Sequence, residues 1–68
     1  MSENSTWNVT GMTCGHCVAS VTEEVSAIPG VQDVQVDLPT GVVAVTSEAP
    51  LDPAAVAAAV EEAGYALA

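Results

Sequence analysis

An α+β sandwich in the order strand, helix, strand, strand, helix, strand is predicted by three features of this 68-residue chain. Apolar residues alternate with polar ones in short stretches, as in half-buried strands. In two other stretches they recur at three- and four-residue intervals, as on one helix face. Proline, glycine and aspartate signals separate the stretches.

The elements follow in order. Thr6 to Thr10 alternates, with Trp7 and Val9 on one side and Asn8 and Thr10 on the other. Gly11 to His16 breaks the alternation and reads as a loop. From Cys17 the period changes: Val18, Val21, Val25 and Ile28 share a helix face until Pro29-Gly30 stops it. Val34, Val36 and Leu38 mark a second strand, Pro39-Thr40-Gly41 a tight turn, and Val43 and Val45 a third strand. These two strands form a hairpin. Asp52 reads as an N-cap with Pro53 at the first helical position, and Ala54 to Ala63 forms the second helix with Gly64 as its cap. Tyr65 to Ala68 is expected as a short edge strand. The order is that of the ferredoxin-like fold, a four-stranded antiparallel sheet with two helices on one face. Its length makes the chain one domain, residues 1–68.

Composition narrows the function. The chain has nine acidic residues, no Lys or Arg, and a formal charge of -9. Nothing in it neutralises phosphates, which argues against nucleic acid and anionic membranes as partners. The acidity serves solubility, or it matches a partner with a basic or neutral face. No apolar run reaches the ~20 residues of a membrane span, and the polar start Met1-Ser2-Glu3 is unlike a secretory signal. The expected location is cytoplasmic. In a reducing compartment, two closely spaced cysteines point to metal or redox chemistry rather than a structural disulfide.

The one constellation carrying chemistry is Met12-Thr13-Cys14-Gly15-His16-Cys17. Thiolates are soft donors that suit Cu(I), whereas a structural zinc site needs four ligands. With two cysteines and one histidine, the chain cannot close such a site alone. A helix N-terminus at Cys17 favours the thiolate through its unpaired amides and dipole. Both thiols are expected to be exposed on the loop, open to attack by a partner's thiols. Protons compete for thiolates, so copper affinity is expected to depend on pH. His16 is an auxiliary candidate: a bystander on the loop, a tuner of the thiolates, or a third ligand when two molecules share copper. Met12 is read as core filler ahead of thioether ligand, and Tyr65 as an edge-strand residue covering the site. The Glu23-Glu24 and Glu61-Glu62 pairs suit exposed helix faces.

Gly11-Met12-Thr13-Cys14-Gly15-His16-Cys17 resembles the metal-binding loop of heavy-metal-associated domains, found in bacterial copper chaperones and in copper-transporting P-type ATPases. Ile28-Pro29-Gly30-Val31 and Glu61-Glu62-Ala63-Gly64-Tyr65 extend the resemblance over nearly the whole chain. It implies a single domain of that kind which is not an enzyme. It further implies that Cys14 and Cys17 bind one Cu(I) and pass it by ligand exchange to a copper-exporting ATPase, with Met12 beneath the loop. A copper-bridged homodimer is compatible with such a dithiol site. Two details differ among relatives: the lysines many of them carry near the site are missing here, and Tyr65 matches the bacterial chaperones. An excised metal-binding domain of an ATPase, or a mercury carrier with the same loop, shares these residues.

The rival class is a dithiol oxidoreductase, because Cys14-Gly15-His16-Cys17 spells a tetrapeptide also found in a thioredoxin-like isomerase. That fold needs about a hundred residues, and Thr13 stands where it has tryptophan. A c-type haem site would need histidine at Val18.

Overall fold

The computed structural model describes residues 2–12 and 15–68. The elements run β1 (Glu3–Thr10), α1 (Gly15–Ser26), β2 (Val31–Asp37), β3 (Val42–Ser47), α2 (Pro53–Glu62) and β4 (Ala66–Leu67). All strand pairs are antiparallel, in the order β2-β3-β1-β4. This is the predicted ferredoxin-like arrangement, with β1 and β3 in the centre of the sheet.

The core sits between sheet and helices and is built almost wholly of valine. Val21 and Val25 of α1, Val43 and Val45 of β3, and Val56 and Val60 of α2 are each at most 1% exposed. The alternation on β3 decides which residues go inward: Val43, Val45 and Ser47 are buried, and their neighbours are only half-buried. Among the described residues Ser47 is the buried polar side chain, and its hydroxyl donates to the carbonyl of Ala49 at 2.8 Å. Burying a hydroxyl is costly unless it finds such a partner.

Several boundaries differ from the sequence reading, among them the ends of α1 at Ser26, short of Ile28, and of β2 at Asp37, short of Leu38. β1 starts at Glu3 because Glu3, Asn4 and Ser5 pair with Ser47, Thr46 and Val45 of β3. The sheet ladder satisfies their backbone whatever their side chains prefer. α1 begins at Gly15, two residues ahead of Cys17. β4 shrinks to two residues, paired with Val9 and Thr10. The second helix starts as predicted: the Asp52 carboxylate accepts from the Ala54 amide at 3.0 Å, and Pro53 opens the helix. Among the described residues, no helix is long and apolar enough to cross a membrane.

Candidate metal site

Three connections meet at one end of the domain: β1 hands over to α1, the β2–β3 hairpin closes, and α2 turns into β4. The Val9 amide donates to the Gly41 carbonyl at 2.8 Å, tying the hairpin to the last residues of β1.

The far end of α2 is fixed by its backbone. Past the cap at Ala63, the Tyr65 amide donates to the Val60 carbonyl at 3.0 Å and the Gly64 amide to the Glu61 carbonyl at 2.9 Å. This pair of bonds is the Schellman termination, which needs a left-handed residue; Gly64 supplies it at φ +94°. Its result is the placement of Tyr65. The Tyr65 ring lies 3.3 Å from where a Cβ on Gly11 would stand, and Gly11 itself sits at φ +91°. A glycine is thus demanded twice at the start of the loop, by its dihedral and by the ring beside it.

Cys17 is the third residue of α1 and faces inward. It is 6% exposed, and Val21 and Val25 continue the same buried face one and two turns later. The first turn of α1 contains no acidic side chain. The attraction of its amides for a thiolate is therefore not opposed by a carboxylate on that turn. This corrects the expectation of two exposed thiols: Cys17 is a helix residue packed at the edge of the core. His16, one residue earlier, is exposed. Met12 and Tyr65 are half-buried and pack against the valine cluster. Thr13 and Cys14 lie outside the described residues, so the structure brings Cys17, Met12, Tyr65 and His16 to this end and leaves the Cys14 partnership to chemistry. Among the described residues, no three His, Cys, Asp or Glu side chains converge as metal ligands. Gly11 was not singled out from the sequence, although it opens the loop motif.

The profile of the heavy-metal-associated domain matches residues 6–66. The chain belongs to this family. Copper-transporting ATPase 1 of Rhizobium meliloti (strain 1021) is 41% identical over 59 residues, or 87% of this chain. Copper-transporting ATPase 2 of the same strain is 38% identical over 63 residues, or 93% of this chain. The chain spans 7% and 8% of the lengths of these two ATPases. Among solved structures, the CopZ metallochaperone superposes with a TM-score of 0.89 at 31% identity, covering 97% of this chain and 100% of that one. This heavy-metal-associated domain is therefore a metal-binding domain related both to copper chaperones and to copper-transporting ATPases.

Proposed function

We propose that the domain is a Cu(I) carrier and performs no catalysis. Cys14 and Cys17 hold one ion and give it up by thiolate exchange, and the recipient is a copper-transporting P-type ATPase. The observation that supports this best is Cys17 in the first turn of α1, within a fold closely shared with a metallochaperone. Soft thiolates satisfy Cu(I) at low coordination number, so an incoming thiolate can add before a resident one leaves. No step then requires bare copper in water. Cytoplasmic operation and a copper-bridged homodimer are compatible with the same chemistry.

A second reading is favoured by one comparison. Two copper-transporting ATPases match 87% and 93% of this chain at 41% and 38% identity. The same domain is then the receiving module of an ATPase, and copper runs in the opposite direction through the same two thiols. Immunodetection of the native product at about 7 kDa or at ATPase size separates the two; a domain of this size is small even for a free-standing fold.

The deciding experiment is anaerobic native mass spectrometry of the reduced protein offered Cu(I), Zn(II) and Hg(II) together. One Cu(I) per chain, lost in both Cys14→Ser and Cys17→Ser, is the expected result. Preferential zinc or mercury uptake would overturn the copper assignment. No metal uptake, with ready disulfide exchange between the two cysteines, would instead support the oxidoreductase reading.

A further inference from the structure

The end of the domain opposite the metal loop holds a second feature. The α1–β2 and β3–α2 connections meet there and enclose an open pocket of about 480 Å³. Ile28, Pro29, Leu51 and Ala55 give it apolar lining, and Glu48 and Asp52 supply carboxylates. Ile28 and Leu51 are half-buried, packed against the core beneath.

The walls are pinned by the backbone. The Glu48 amide donates to the Gly30 carbonyl at 2.8 Å, joining the two connections directly. Ser47 is 1% exposed and holds the Ala49 carbonyl, while Asp52 caps α2. A pocket held open in this way needs little ordering when something enters it, which favours binding.

The charge distribution points to what enters. Of the nine acidic residues, Glu3, Glu23, Glu24, Asp33, Glu48 and Asp52 lie towards this end of the strands and helices. Only Asp37, Glu61 and Glu62 lie towards the metal loop. Glu23 and Glu24 also stand in the last turn of α1, where the helix dipole disfavours negative charge. No Lys or Arg on the chain offsets any of this. A second copy would add like charge, so the complementary cation has to come from a different protein.

We propose that this distal pocket docks a partner protein through an arginine or lysine flanked by aliphatic residues. The aliphatic stem and neighbours lie on Ile28, Leu51 and Ala55, and the cationic head reaches Glu48 and Asp52. Long cationic side chains bury their methylenes in this manner while keeping the charge wet. Such docking leaves the metal loop free, so a partner held there can remain bound while copper moves at the other end. The inference stands apart from the copper reading and holds for any metal cargo.

The test is an NMR titration of the reduced, metal-free protein with a blocked tripeptide carrying arginine between two leucines. The expected result is saturable shifts confined to the amides of Gly30, Glu48, Ala49, Leu51 and Ala55. Glu48→Gln is expected to weaken binding about three- to fivefold, in line with one solvent-exposed ion pair. Asp52→Asn keeps a competent N-cap and is expected to weaken it similarly without loss of fold. A tripeptide with glutamine in place of arginine should bind more weakly than the parent. Absence of shifts, shifts spread equally to Asp37, Glu61 and Glu62, or equal shifts with guanidinium chloride alone would each overturn the proposal.

Discussion

The ring of Tyr65 lies 3.3 Å from the position a Cβ would occupy on Gly11, so the turn after α2 rests on the first residue of the connection between β1 and α1. Gly11→Ala is expected to destabilise the metal-free protein by about 1–2 kcal/mol through the left-handed dihedral, with the crowded ring adding to it. Urea denaturation measures the total. Repeating it in a Tyr65→Leu background separates the two contributions. An equal cost in both backgrounds would show that the ring contact contributes nothing.

Cys17 has a structural duty besides its proposed ligand role. Cys17→Ser places a hydroxyl at a position only 6% exposed, and a loss of about 1–2 kcal/mol in metal-free stability is expected if that hydroxyl finds no partner. Thermal unfolding with and without Cu(I) distinguishes this from a pure loss of metal. Unchanged stability of the metal-free variant would mean that the thiol is not part of the packing.

The N-cap of α2 rests on one hydrogen bond, from the Ala54 amide to the Asp52 carboxylate at 3.0 Å. Asp52→Ala should cost about 1 kcal/mol, whereas Asp52→Asn should cost only a few tenths. Chemical denaturation of the pair checks the ranking. Equal losses in both variants would shift the explanation from capping to charge.

Salt should stabilise this protein. Its nine carboxylates are spread over a body of 33 × 19 × 18 Å without a Lys or Arg among them. At about 10 mM salt the Debye length is ~30 Å and spans the molecule, while at physiological strength it falls to ~8 Å. The melting temperature is therefore expected to rise between these conditions. A flat profile would show that folding brings the carboxylates no closer than the unfolded chain does.

Much of this was legible in the residues. The valine spacing marked α1, the alternation marked the β2–β3 hairpin, and Asp52-Pro53 marked the start of α2. Glu3 to Ser5 escaped because pairing with β3, distant in sequence, makes that segment a strand. The burial of Cys17 carried a usable signal, since it precedes Val21 by four residues and Val25 by eight. Counting the cysteine as an apolar member of that series would have turned it inward. The distal pocket left no local mark, because its lining comes from two connections some twenty residues apart.

The valine core has a mechanical consequence. Each of the six valines buried to 1% or less has a single, strongly restricted side-chain torsion. A core of leucine or methionine could absorb a displacement by changing rotamers; this one has few alternatives to move into. The platform beneath α1 is stiff, so the ligand exchange proposed at Cys17 would meet a support that does not yield. Any compliance that the proposed transfer demands would have to come from outside the core, or from the partner.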